Sequence, residues 1–266
     1  MITPIVQRWR DRRGSYRPAG EVINTREYEV APISRAAAKA FVLQHHYSGS
    51  VGTMVHQFGL FWHLELVGVA IFGNPTNEAS LKVIPGNRDE KAELGRFVLL
   101  DDVPGNGESW FIARAFELLR GAGLVAVVSF ADPEPRTAAD GRLVFPGHAG
   151  TIYQATNGVF RGRSAARVQR LLPDGRIIAP RTLSKIRTRE RNWQTGVRDL
   201  VRAGAAEPGD TSSSGLRSWL DVWLPRLTRP QKHAGTFKYL FGLTRAAKRH
   251  LPESLPYPKF ATRRAA

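Results

Sequence analysis

Between residues 93 and 157 the chain alternates apolar runs with four short polar motifs. Each motif falls where a strand or helix should begin or end. They are Glu93-Leu94-Gly95-Arg96-Phe97, Gly105-Asn106-Gly107-Glu108-Ser109-Trp110, Ser129-Phe130-Ala131-Asp132-Pro133 and Thr151-Ile152-Tyr153-Gln154-Ala155. The runs between them set the elements. Val125 to Ala131 is continuously apolar apart from Ser129, the pattern of a strand covered on both faces. Glu108 to Arg120 carries Trp110, Phe111, Ala113, Phe116, Leu118 and Leu119 at helical spacing and stops at Gly121 and Gly123. Leu94 to Leu100 reads as a strand entering the first glycine loop, and Gly147 to Asn157 as a short helix.

Upstream, Glu27 to Ala31 reads as a strand, and Ser34 can cap a helix over 35–44. Phe58 to Trp62 and Leu66 to Phe72 read as a hairpin, and 73–90 as loop. Downstream, strands are expected near 159–162 and 167–172, a flexible linker over 210–215, and a short Trp-rich helix over 218–224. The resulting order, β-α-β-β-β-loop-α-β-α-β, is that of a GNAT-like acetyltransferase fold. The expected class is therefore α/β (α+β), a mixed central sheet flanked by helices, with a basic C-terminal extension.

The chain has 266 residues, 42% of them hydrophobic, enough to bury a sizeable core. It has no Cys, which excludes disulfides, thiolate metal sites and a cysteine nucleophile. The N-terminus shows no apolar signal-peptide core, and no run approaches the roughly 20 apolar residues of a spanning helix, so no membrane partner is expected. The net charge of +16 is unevenly placed: residues 1–159 are net zero, and the whole excess lies in residues 160–266. Charge gathered in one segment is the footprint of a polyanion binder, or else a solubility device or an RNA-sticky tail. Residues 1–26 read as a flexible basic arm, 27–200 as the catalytic domain and 201–266 as the basic extension.

The motifs suggest chemistry. The loop holding Gly105, Gly107 and Ser109 opens a helix, where close backbone approach and free N–H groups suit the pyrophosphate of coenzyme A, as acetyl-CoA or a related CoA thioester. Arg96 on the preceding strand can add charge-assisted hydrogen bonds. The same loop is also an ordinary turn with a serine cap. Tyr153 sits on a helix resembling the one that carries the general acid of the acetyltransferase fold; it reads equally as a packed core tyrosine. Asp132 ends a buried strand, where a carboxylate reaches the crevice of an open sheet. It can be a base, a metal ligand, a hydrogen-bond anchor or a turn former. His46 and Tyr47, with Asp132, offer nitrogen and oxygen donors of the kind that suit Fe, Zn or Mn. Arg161, Arg163, Lys185, Arg187, Arg189, Lys232 and Lys238 are candidate phosphate contacts. Trp193, Phe237 and Tyr239 among them could stack on an unpaired base. Trp219 and Trp223, four residues apart on one helix, read better as core.

Several longer motifs carry a resemblance. His46-Tyr47-Ser48-Gly49, Gly68-Val69-Ala70-Ile71-Phe72-Gly73, the four motifs above, Pro146-Gly147-His148-Ala149-Gly150 and Leu183-Ser184-Lys185-Ile186-Arg187 resemble the Mom family of bacteriophage DNA-modification enzymes, over roughly residues 27–245. The resemblance implies conversion of adenine in double-stranded DNA to N6-carbamoylmethyladenine, protecting phage DNA from host restriction. It implies coenzyme A contacts at Arg96 and Ser109, iron-linked or catalytic roles for His46, Tyr47, Asp132 and Tyr153, and work in the cytoplasm of the infected bacterium. Two other functions fit the residues: an N-acetyltransferase acting on a protein or small amine, and a non-catalytic DNA-binding anti-restriction protein.

Overall fold

The computed structural model describes residues 5–18 and 20–259. The first half runs β1 (Ile5–Arg10), β2 (Arg13–Pro18), β3 (Tyr28–Pro32), α1 (Arg35–His45), β4 (His56–Trp62), β5 (Glu65–Gly73), a 3-10 turn (Glu78–Leu81), β6 (Lys91–Leu99) and α2 (Gly107–Gly121). There follow β7 (Ala126–Ala131), β8 (Arg136–Thr137), β9 (Leu143–Phe145), α3 (Thr151–Ala155), β10 (Val159–Arg163), β11 (Arg167–Leu171) and β12 (Ile177–Ile178). The chain ends with α4 (Pro180–Thr188), α5 (Trp193–Arg202), α6 (Ser213–Leu227), β13 (Arg229–His233), β14 (Phe237–Gly242) and α7 (Arg245–Arg249).

The chain divides into two compact units. The first takes the chain up to Asp132, His148–Ser164 and the chain from Thr236. Its seven-stranded sheet has the order β10-β14-β7-β6-β5-β4-β3, antiparallel except where β6 runs parallel to β7. This is the expected mixed sheet, and β3-α1-β4-β5-β6-α2-β7-α3-β10 is the expected order. Strand β5 is buried on every residue from Val67 to Gly73, so both faces of the sheet are covered there. Helix α1 starts at Ser34, whose side chain accepts the Ala37 N–H, and buries Ala38, Phe41 and Val42. Helix α2 buries Phe111, Ile112, Ala115 and Leu119, one face of the turn, in the same core.

The second unit, Pro133–Gly147 and Ala165–Gly235, has its own core. Leu183 and Ile186 of α4, Val197 and Leu200 of α5, and Leu216, Leu220 and Leu224 of α6 pack together. Strands β12, β11 and β13 form a three-stranded sheet, and β8 pairs with β9.

Three expectations are corrected. The N-terminal arm forms the antiparallel hairpin β1–β2 over residues 5–18, closed by Asp11 and Arg12, both at positive φ. The linker over 210–215 instead holds the cap of α6: Ser212 accepts the Gly215 N–H, and the helix spans 15 residues rather than a short central piece. Within 201–266, Phe237–Gly242 is not an appendage. As β14 it lies inside the main sheet between β10 and β7. Fraying is expected over residues 251–266, of which 260–266 lie outside the described residues.

Candidate active site at the parting of two parallel strands

The parallel ladder of β6 and β7 has four register pairs and ends at Leu94 opposite Ser129. There β6 changes partner spacing. Leu94 faces Phe72 and Arg96 faces Ile71 on β5, leaving Gly95 as the extra residue of a bulge. A bulge bends its strand and re-aims the following side chains. Here it falls where β6 leaves β7, so the C-terminal ends of two parallel strands open into a crevice, the usual ligand position in such sheets. A Cβ at Gly95 would meet nothing nearer than the Ile71 carbonyl at 3.9 Å, so this side of the strand faces open space.

Tyr153 is buried on α3 beside this end of the ladder. Its side chain is hydrogen-bonded with Ser129. The fully buried Ser129 hydroxyl in turn donates to the Leu94 carbonyl at 3.2 Å. The last pair of the ladder thus supplies the support for the phenol. Burial raises the Tyr153 pKa far above the ordinary phenol range, with Tyr47, Tyr239 and Glu93 adding to it and Ser129 opposing it. Tyr153 therefore stays protonated at neutral pH. The Tyr239 ring lies tilted at 5.5 Å from it, and Tyr239 is pushed up to about 12 by burial, donates to the Ala149 carbonyl at 2.5 Å and accepts from Gln154 at 3.0 Å. These contacts fix the loop that opens α3.

Arg96, Tyr47, Glu93 and Tyr153 share one electrostatic neighbourhood. Arg96 donates to the Ser50 carbonyl at 2.6 Å and hydroxyl at 2.9 Å, so it anchors the loop after α1. Its burial lowers its pKa, and Tyr47, Glu93 and Tyr153 pull the other way. In that loop the rings of His46 and Tyr47 stack at 4.2 Å, and Trp9 of β1 lies 5.0 Å from Tyr47. Asp132 directly follows β7, and its carbonyl accepts the His148 N–H at 2.8 Å.

The structure therefore gathers Tyr153, Tyr47 and Arg96. It adds Ser129, Glu93 and Trp9, to which sequence reading gave no role. Ser129 had a signal: it is the one polar residue in an apolar strand. Trp9 had none, because its hairpin was not foreseen.

The expected phosphate loop is filled by the chain itself. The Gly105 N–H is hydrogen-bonded to the Glu21 carboxylate. Gly107 is packed so closely that a Cβ would sit 2.4 Å from Val103. The Ser109 hydroxyl donates to the Asn106 carbonyl at 3.1 Å. Glu108, in the first turn of α2, is buried and ion-paired with Arg8, which also donates to the Val103 and Pro104 carbonyls. Two carboxylates at this helix start do not fit a pyrophosphate. A metal is not supported either. His46 Nδ1 accepts the Ser48 N–H at 3.1 Å, and among the described residues no three His, Asp or Glu side chains are grouped as ligands. The iron expected on His46, Tyr47 and Asp132 thus has no His, Asp or Glu cluster among the described residues to support it.

The cations expected on DNA are divided between the units. Arg161 donates to the Glu253 carbonyl at 3.0 Å, Arg163 lies over the Phe237 ring at 4.7 Å, and Lys238 is half-buried on β14. Lys185 and Arg187 lie on α4, Arg189 caps it, and Lys232 is exposed on β13. Phe237 and Tyr239, read as stacking platforms, are core residues, because their alternation places them inside the main sheet. Trp219 and Trp223 pack on the second core, as expected.

Residues 27–259 match the model of the Mom protein family. The chain belongs to the Mom protein family. The Mom match takes in β3 to α7 and every crevice residue named above except Trp9. Among similar proteins is the methylcarbamoylase mom of Escherichia phage Mu, 31% identical over 150 residues, which are 54% of this chain and 58% of that protein. The match thus spans less than two thirds of that relative's length. Among solved structures, a tandem GNAT protein from the clavulanic acid biosynthesis pathway aligns over 82% of this chain and 99% of its own, at 9% identity and a TM-score of 0.42. No helix among the described residues is long and apolar enough to cross a membrane.

Proposed function

We propose that this Mom-family chain is a phage DNA-modification enzyme that converts adenine in double-stranded DNA to N6-carbamoylmethyladenine. One observation carries the reading: in a chain of this family, Tyr153, Tyr47 and Arg96 meet where β6 and β7 part. The name of the phage Mu relative, a methylcarbamoylase, and the excess of +16 agree with it. Adenine N6 is paired inside the duplex, so the base must leave the stack to reach a crevice. As N6 bonds to the methylene carbon of an activated carbamoylmethyl donor, the bond from that carbon to its leaving group breaks, the N6 proton departs, and the negative charge on the leaving group must be held. A phenol that keeps its proton is suited to donate to that charge, and a guanidinium in the same low-dielectric site stabilises it. Ser129 fixes the direction of the phenol. Asp132, at the end of β7, is the candidate acceptor of the amine proton. The glycine loop, closed by Glu21 and Glu108, is not where this reading places the donor.

Mass spectrometry of nucleosides from plasmid DNA co-expressed with the protein tests this. The expected result is a deoxyadenosine heavier by one carbamoylmethyl group. Tyr153→Phe and Asp132→Ala should each abolish the adduct while duplex binding persists. Full modification by both variants would remove the site assignment. Unmodified DNA together with acetylation of an amine substrate would establish an acetyltransferase instead.

A further inference from the structure

We propose that α4 and α5 form a helix-turn-helix whose second helix enters the major groove and reads base edges through Gln194 and Arg198. This rests on the reading of duplex DNA as substrate. Four residues, 189–192, join the two helices. Arg189 and Asn192 both take left-handed backbone conformations, φ 53° and 67°, and turn the chain sharply. The helices touch at Gly196, where a Cβ would lie 2.6 Å from Thr182 and 3.0 Å from Ile186. Their apolar sides, with α6, make the core of the second unit. A pair of helices joined by a 3–4-residue turn and supported by a third helix is the arrangement that presents a recognition helix.

The outer face of α5 suits that role. Gln194, Arg198 and Arg202 are exposed and four residues apart, so they form one stripe, with Thr195 beside it. Asp199 flanks the stripe 4.0 Å from Arg202, and Arg198 donates to the Thr195 hydroxyl at 3.2 Å. Ahead of it, α4 and the turn supply Lys185, Arg187 and Arg189, and Glu190 is held by both nitrogens of the Arg181 fork. Residues 181–202 hold seven Arg or Lys against two Asp or Glu. The chemistry of the stripe is that of base reading: a glutamine amide matches adenine N6 and N7, and a guanidinium matches guanine O6 and N7. The α4 end and the turn would hold phosphates. A helix about 10–12 Å across fits the roughly 12 Å major groove of B-DNA, whereas the major groove of A-form RNA is too deep and narrow to admit it. The occupant is therefore duplex DNA.

The test uses the full chain and fluorescence anisotropy against a panel of duplexes, each varied at one position around an adenine, with a random duplex as reference. Gln194→Ala and Arg198→Ala should each lower the ratio of best-sequence to random binding by roughly ten- to a hundred-fold at one or two positions. In co-expressed plasmid they should change which adenines are modified. Lys185→Ala with Arg187→Ala should weaken all duplexes together, keep the ratio and reduce the salt slope by about 2. Gln194 and Arg198 are exposed and Lys185 and Arg187 half-buried, and unchanged melting temperatures would show that the fold is intact. Sequence preference retained by both Gln194→Ala and Arg198→Ala overturns the proposal. So does a parent protein that binds duplexes without preference, or one that binds single strands or RNA more tightly. A parent that binds no nucleic acid overturns the DNA reading itself.

Discussion

Arg8 holds its charge where no water reaches it: its side chain is 0% exposed and that of its partner Glu108 7%. Desolvation lowers the guanidinium pKa to about 10. Removing one member of such a pair strands the other, which costs about 3–5 kcal/mol, whereas replacing both by apolar residues costs little. Glu108→Leu should therefore lower the denaturation midpoint sharply, and Arg8→Met combined with Glu108→Leu should restore only part of it, because the Val103 and Pro104 carbonyls then lose their donor. Tyr153 gives a pH prediction. Its folded pKa lies above the unfolded phenol's 10.0, so the fold favours the protonated form. That stability is whole below pH 10.0 and is lost as the pH rises above it toward the folded value. In alkaline unfolding monitored by tyrosinate absorbance, Tyr153→Phe should shift the transition to higher pH. Of the crevice, the sequence showed Tyr153, Tyr47 and Arg96 as polar residues at element ends. It could not show that Arg96 would anchor the Ser50 loop instead of a phosphate, because that contact spans 46 residues.

Elements with strong local signals were legible. Ser34 before an alanine-rich run marked α1, and two apolar runs, 58–62 and 66–72, joined by a short link marked the β4–β5 hairpin. The β1–β2 hairpin was not, because its two-residue turn is Asp11-Arg12 rather than a glycine-bearing pair, and its stability comes from contacts such as Arg8 beneath the 103–104 turn. Helices α4 and α5 were hidden by their arginines, which mask an apolar stripe of only Leu183, Ile186, Val197 and Leu200. At this scale the caps make the clearest prediction. Ser212 accepts the Gly215 N–H at the start of α6, so Ser212→Ala should cost about 1 kcal/mol, read as a fall in melting temperature with little change at the Tyr153 site.

At the scale of the molecule, the charge asymmetry was plain in the sequence and the interleaving of the two units was not. The second unit is inserted between strands of the first: the chain leaves the main sheet after β7, returns for α3 and β10, leaves again, and comes back as β14. Such pairing is set by long-range packing and leaves no local mark. A chain ending at residue 235 should therefore fail to give a soluble fold, checked by circular dichroism and sedimentation, since β10 has β14 as its sheet neighbour and β7 would lose one side. The same arrangement imposes an order on synthesis. While the ribosome is still adding residues 165–235, β10 has left the exit tunnel with no strand to join and β7 offers an open edge. The nascent chain must keep that edge from other polypeptides until its last strand arrives, so slow translation of this stretch would carry a risk of misassembly that the finished protein no longer shows.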